Sequence, residues 1–160
     1  MLLLLLFIIF VISFIHFSIL LSVLLFLSKK NFQIFFPVNL SNTHWTMLVI
    51  YMAKKEIHYY DSMSGDGRKY LEGMKKWLVD EYMDKKKGEF NIDNWVFKDR
   101  EKNIPQQQNG VDCGMFSIVC ADFLSDNLPL DYSQQDMPFF RKKIAAAVIN
   151  GSLPYDTTTE

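Results

Sequence analysis

Charge is missing from one end of this chain: residues 2–28 contain no Lys, Arg, Asp or Glu, although the 160 residues together carry 17 basic and 18 acidic side chains. A stretch without charge is not the surface of an ordinary water-soluble domain, so the chain reads as an apolar leader followed by a conventional charged part of 132 residues. That remainder is long enough for one hydrophobic core and too short for two. The near balance of charges, −1 in all, excludes a nucleic-acid partner held by bulk charge, and 49% hydrophobic residues exclude a disordered chain. Cysteine is almost absent too. Cys113 and Cys120 are the only two. Seven positions along one helix put them about 10 Å apart, too far for a disulfide. Two thiols also fall short of a zinc cluster, so no metal and no cofactor is expected, and a reducing compartment fits.

What is present begins with Leu, Phe and Ile from 2 to 28, enough to span a bilayer. A secretory signal fits less well, because the run is long, has no basic residue before it and no small-x-small site after it. Lys29 and Lys30 follow directly, which would leave the rest of the protein on the cytosolic side. His16 within the run reads as a tolerated neutral imidazole. The same low-complexity composition is also what a gene-model artefact produces, and the sequence leaves both readings open for residues 1–30.

Beyond residue 30 the pattern turns to short strands. Residues 32–38 are aromatic and β-branched, with Pro37 pointing to an edge or a strand end. Residues 45–51 and 56–61 flank the polar turn 53–55 and form a hairpin. Two glycines break the chain between 62 and 67, after which Tyr70, Met74, Trp77, Leu78 and Tyr82 recur at helical spacing. Lys85, Lys86 and Lys87 suit the negative end of that helix. Another strand is expected at 94–98, a buried helix at 113–124, and a last helix opening at Ser133-Gln134-Gln135-Asp136, with Pro138 in its first turn and an end near Gly151. The tail 153–160 is expected to be disordered.

Three polar residues fall where a catalytic group would. His44 opens one strand of the hairpin and Asp61 closes the other, so the two become neighbours although 17 positions apart. Cys113 sits at a helix N-terminus, where unpaired N–H groups and the positive pole favour thiolate. That is a cysteine-hydrolase constellation: Cys113 as nucleophile, His44 as base and then acid, Asp61 orienting the imidazole. Gln107 and the backbone N–H of Cys113 can serve as oxyanion donors. Gly110 and Gly114 suit a backbone that turns sharply and approaches a substrate closely. Spacing alone also allows blander roles. A cysteine in an apolar helix is usually core, as is expected of Cys120; a histidine near a strand can be surface, and an aspartate after one can simply form a turn.

The motifs around these residues are more specific than their spacing. His44-Trp45, Tyr59-Tyr60-Asp61-Ser62-Met63 and Pro105-Gln106-Gln107-Gln108-Asn109-Gly110-Val111-Asp112-Cys113-Gly114 resemble the signature blocks of the Ulp/SENP family of SUMO-specific cysteine proteases, in the same order and spacing. Residues 34–40 and 134–143 are similar as well, so the resemblance covers about 32–152. It implies an α+β, papain-like (adenain-like) fold with a central mixed sheet flanked by helices. It also implies His44, Asp61 and Cys113 as catalytic residues, Gln107 in the oxyanion hole, and Trp45 lining a narrow tunnel for a diglycine tail, with Gly110 and Gly114 as further substrate-binding positions. Flat aromatic walls admit only residues without side chains, so such a tail is selected by exclusion. The expected reaction is hydrolysis after the diglycine of SUMO, in maturation or deconjugation. The rivals are a protease for another ubiquitin-like modifier and a fragment that only binds one. The domain is expected to be cytosolic or nuclear, or held at a membrane facing the cytosol. One departure stands out: where the family carries further helices, a second tunnel tryptophan and much of its grip on SUMO, this chain has the apolar leader. A domain truncated on that side would lack half the substrate clamp and expose apolar surface.

Overall fold

The computed structural model describes residues 32–99 and 104–151. The expected membrane span and the expected disordered tail lie outside these residues. Among the described residues no helix is long and apolar enough to cross a membrane.

Three antiparallel strands come first: β1 (Gln33–Leu40), β2 (His44–Tyr51) and β3 (Glu56–Tyr60). Ser41 and Asn42 both take positive φ (53° and 58°), giving the left-handed turn whose twist suits a tight hairpin, and the Thr43 N–H closes it on the Leu40 carbonyl at 3.0 Å. In the resulting register Leu40 faces His44 across the ladder and Pro37 faces Met47. β1 is an outer strand of the sheet, whose order is β1-β2-β3-β4, and that is where a residue without an N–H can be tolerated. It runs two residues past the expected end because Asn39 and Leu40 pair with Trp45 and His44. β4 (Val96–Lys98) adds to β3 in parallel and makes the sheet mixed. It begins later than its sequence pattern suggests: the Trp95 N–H turns back to the Ile92 carbonyl, and the indole is buried in the core.

Alternation along β2 sorts the interior into two layers. Leu48 and Ile50 join Ile57 and Tyr59 of β3 on one face, covered by Leu71 and Leu78 of helix α1 (Arg68–Lys86) and by Trp95. Met47, Val49 and Tyr51 point the other way and meet Cys120 and Ala121 of helix α2 (Cys113–Ser125). On its far side α2 packs Met115, Phe116 and Val119 against Tyr132 and against Met137 and Phe140 of helix α3 (Met137–Asn150). The order is helix, sheet, helix, helix. α2 is therefore apolar almost all round because it lies between the sheet and α3.

The helix ends follow from local chemistry. Lys85 and Lys86 occupy the last turn of α1, and Lys87 takes a left-handed conformation (φ 54°) with its N–H on the Met83 carbonyl. Ser133 and Asp136 make a reciprocal capping box over the 3-10 turn Gln134–Asp136, which feeds α3 with Pro138 in its opening turn. Gly151, at φ 65°, closes α3.

Candidate active site

The hairpin of β2 and β3 carries the first two site residues to the same end of the sheet. The register pairs Met47 with Tyr60, so His44, at the start of β2, comes level with the residues just past the end of β3. His44 Nε2 lies 2.7 Å from Asp61 Oδ1, and the two side chains are 14% and 4% exposed. Asp61 receives three further donors: the Met63 N–H on Oδ1 at 2.8 Å, and the Gly65 N–H (3.1 Å) and Tyr59 hydroxyl (3.4 Å) on Oδ2. Burial pushes the Tyr59 hydroxyl far above its ordinary range, so it remains a donor. An ionised carboxylate offers only acceptors, so His44 must carry its proton on Nε2, leaving Nδ1 as the basic nitrogen. His58 has no part in this arrangement: its ring nitrogens meet Tyr60 Oη at 3.0 Å and Glu56 Oε2 at 2.7 Å within the sheet.

Two glycines make the Asp61 turn possible, and neither has the positive φ that usually announces a required glycine. A Cβ on Gly65 would come within 2.5 Å of Asp61 Oδ2, and one on Gly67 within 2.1 Å of the Tyr59 ring. The sequence marks 62–67 as a break. The packing reason emerges only once Asp61 and Tyr59 are in place.

Cys113 is the first residue of α2, and its free thiol is buried. The helix lies along β2 with its start toward the His44 end: Cys120 packs among Met47, Val49 and Tyr51, whereas a Cβ on Gly114 would lie 3.7 Å from the Trp45 ring. That is ordinary contact, so the indole of Trp45 sits against the opening turn of α2. Cys120, 3% exposed, is a core residue as expected, and burial pushes its thiol up to about 12.

The loop before Cys113 is laced down on both sides. Toward β3, the Gln107 N–H donates to the Ser62 carbonyl at 3.0 Å, the Ser62 hydroxyl to Gln107 Oε1 at 2.7 Å, and the Ser64 hydroxyl to Gln106 Oε1 at 2.8 Å. Gln107 Nε2 donates to the Asn109 carbonyl, which engages one of its two hydrogens. Toward α3, Gln134 Oε1 accepts from the Gln108 N–H, and the Asp112 carboxylate accepts from Arg141, from Asn109 Nδ2 and from Gln134 Nε2. Arg141 first, then Asn109, holds the Asp112 carboxyl down at about 2. This network has a second effect. Asp112 occupies the N-cap of α2, where an aspartate ordinarily caps the helix, yet its side chain makes no capping bond. The three donors draw the carboxylate sideways, and no Asp112 cap occupies the first N–H groups of α2.

The sharp turn expected of Gly110 is made by other means. Gly110 has no positive φ, and a Cβ there would meet open space. The bend is formed by Asn109, whose Oδ1 accepts from the N–H groups of Val111 (3.1 Å) and Asp112 (3.0 Å). Gly114 likewise needs no special backbone. The roles of Ser62, Asp112, Gln134 and Arg141 were not read from the sequence. Ser62 and Asp112 each adjoin an expected catalytic residue within a signature block, and Gln134 and Arg141 fall in the similar stretch 134–143, but nothing in those motifs says which side chain each would hold.

A part-buried histidine–carboxylate pair, a free thiol opening a neighbouring helix, and a side-chain amide on the loop before it are the set of groups that a thiol hydrolase uses. The chain belongs to the Ulp1 protease family: residues 27–151 match the model of that family's C-terminal catalytic domain. It is 40% identical over 117 residues to the putative ubiquitin-like-specific protease 1B of Arabidopsis thaliana (72% of this chain, 34% of that protein). It is 37% identical over 111 residues to human sentrin-specific protease 2 (69% and 19%). The solved C-terminal Ulp1 protease domain in complex with Smt3, the yeast ortholog of SUMO, superposes with a TM-score of 0.61 at 29% identity, covering 74% of this chain and 52% of that one. The chain thus spans about a third or less of these two relatives and about half of the solved domain.

Proposed function

We propose that this protein is a cysteine protease that hydrolyses the peptide or isopeptide bond after the diglycine tail of SUMO. The observation that carries the proposal is the part-buried His44–Asp61 pair at 2.7 Å, in a chain of the Ulp1 protease family. In this reading His44 Nδ1 takes the proton of Cys113, and the thiolate sulfur attacks the scissile carbonyl. The tetrahedral oxyanion is met by Gln107 Nε2 and the backbone N–H of Cys113, neither of which requires a cap to be broken. His44 then protonates the leaving amine. Water, deprotonated by the same imidazole, releases the thioester, and Asp61 stabilises the imidazolium in both halves. Trp45, whose indole lies against the opening turn of α2 at Gly114, supports the tunnel reading by placing a flat aromatic wall beside the proposed nucleophile. Met63 (58% exposed) and Val111 (76% exposed) flank the site and supply apolar surface for a modifier to dock on.

The test is incubation of the full chain with a SUMO bearing an electrophile at its C-terminus. A covalent adduct on Cys113, absent in Cys113→Ala, is expected; no adduct under conditions where a full-length family enzyme reacts would overturn the proposal. Parallel probes built on ubiquitin and other modifiers distinguish SUMO from its relatives.

The uncharged stretch 2–28 followed by Lys29 and Lys30 supports a further reading, a membrane anchor with the catalytic part in the cytosol. Carbonate extraction of membrane fractions tests it, and release of the protein into the soluble fraction refutes it.

A further inference from the structure

We propose that Ser62 is a positioning residue for the oxyanion hole, holding the Gln107 amide with its N–H face toward the reacting carbonyl. The inference rests on the proposed hydrolase reading and adds a residue to it. The amide has two ends, and each has a partner that fixes its identity. One end faces the Asn109 carbonyl, which can only accept, so that end must be the NH₂. The other end, Oε1, then needs a donor, and the Ser62 hydroxyl at 2.7 Å supplies it. Ser62 is 6% exposed, and its own carbonyl accepts the Gln107 backbone N–H at 3.0 Å, so main chain and side chain are both pinned to the same residue.

The location gives this double bond its significance. Ser62 directly follows Asp61, and the contact to Gln107 spans 45 positions of sequence. The residue that anchors the imidazole and the residue that anchors the oxyanion donor are therefore consecutive on one short segment. That segment is itself tied to the Met63 and Gly65 N–H groups through the Asp61 carboxylate. Base and oxyanion donor are set on one rigid piece, which fixes their mutual distance before any substrate arrives.

Without the hydroxyl, Oε1 loses its donor and the amide keeps only its Nε2 bond to the Asn109 carbonyl, so its orientation is held from one end instead of two. A donor aimed at the developing charge contributes most when it is held in advance. Ser62→Ala is expected to lower kcat by about tenfold on a SUMO–diglycine fluorogenic amide while KM stays within about twofold, less than the loss from removing an oxyanion donor outright. Alkylation of Cys113 by iodoacetamide, a reaction that forms no oxyanion, is expected to keep its wild-type rate and pH profile. In a Gln107→Ala background, Ser62→Ala is expected to cost nothing more. Ser62→Thr, which keeps the donor, is expected to retain kcat within about threefold of wild type. A general packing role for Ser62 would slow alkylation as well and would add to the Gln107 effect. Unchanged kcat in Ser62→Ala, an additive double variant, or a Thr variant as slow as Ala would each overturn the inference while leaving the protease reading intact. No turnover by the unaltered chain would overturn the protease reading, and this inference with it.

Discussion

Replacing Asp61 by asparagine changes one heavy atom and reaches every part of the base. The carboxylate holds four donors, two on each oxygen: His44 and the Met63 N–H on Oδ1, the Gly65 N–H and the Tyr59 hydroxyl on Oδ2. In the variant one oxygen becomes an NH₂. Placing it at Oδ1 would set it against both a backbone N–H and the imidazole. Placing it at Oδ2 costs one opposed N–H, that of Gly65, because the Tyr59 hydroxyl can rotate and accept. The second arrangement is therefore favoured, and it leaves an amide oxygen facing His44 Nε2. The useful tautomer of His44 survives; what is lost is the negative charge beside the imidazolium. For charges about 4 Å apart at an effective dielectric constant of about 20, that loss is about 4 kcal/mol, or about 10³ in rate. One part-buried N–H left without its acceptor, together with weaker neutral hydrogen bonds, lowers stability by about 1–2 kcal/mol. The assay is kcat on a SUMO–diglycine fluorogenic amide alongside a urea titration of the same preparation. A folded Asp61→Asn protein with kcat within tenfold of wild type would refute the electrostatic role. A loss with the expected size but a raised KM and unchanged kcat would refute it as well.

Three further outcomes follow from the packing and the charges. Gly67→Ala places a methyl 2.1 Å from the ring of fully buried Tyr59; a loss of about 3 kcal/mol and a melting point lower by about 10 °C are expected by thermal denaturation, and an unchanged melting point would show that this turn yields easily. The Asp112 carboxyl is held at about 2 against 3.8 when free, a depressed value, so its contribution is fully present above about pH 4 and fades as pH falls toward 2. The gap corresponds to at most about 2–3 kcal/mol, and the half-exposed Arg141 reduces it to about 1; Arg141→Met should thus destabilise the protein at pH 7 and only about a third as much at pH 2.5, and an equal loss at both pH values would contradict the ion-pair account. Cys120, with its thiol pushed up to about 12, should resist iodoacetamide in the folded protein at pH 8 while Cys113 reacts, as peptide mapping would show; labelling of both would count against the buried assignment.

Much of this arrangement could be read before the fold was known, because it is carried by short-range pattern. Two apolar runs about the polar turn 53–55 mark the β2–β3 hairpin, and the hairpin alone brings His44 to Asp61. Helical spacing marks α1, and an apolar run after a polar loop marks α2, with Cys113 at its start. The parts that escaped depend on contacts between distant segments. Gly67 is needed because of the ring of Tyr59 on the neighbouring strand, and Asp112 does not cap its helix because Arg141 and Gln134, 29 and 22 positions on, pull it away. Gly110 shows the converse. A glycine in a turn invites a backbone explanation, yet the Asn109 side chain makes the bend. Trp95 was placed inside a strand by its apolar neighbours and instead turns into the core before β4 begins.

The segments that meet at this site lie at very different distances along the chain. Closing the His44–Asp61 contact spans 17 positions, whereas seating Gln107 on Ser62 spans 45. Loop closure becomes costlier with length, and contacts remote in sequence form late. An emerging or partly folded chain can thus complete its acid–base pair while its nucleophile still has no partner. The proposed catalytic set is complete only when residues 104–114 dock on the finished hairpin, so this order of assembly would keep Cys113 apart from its proposed base until the chain has emerged well past the hairpin.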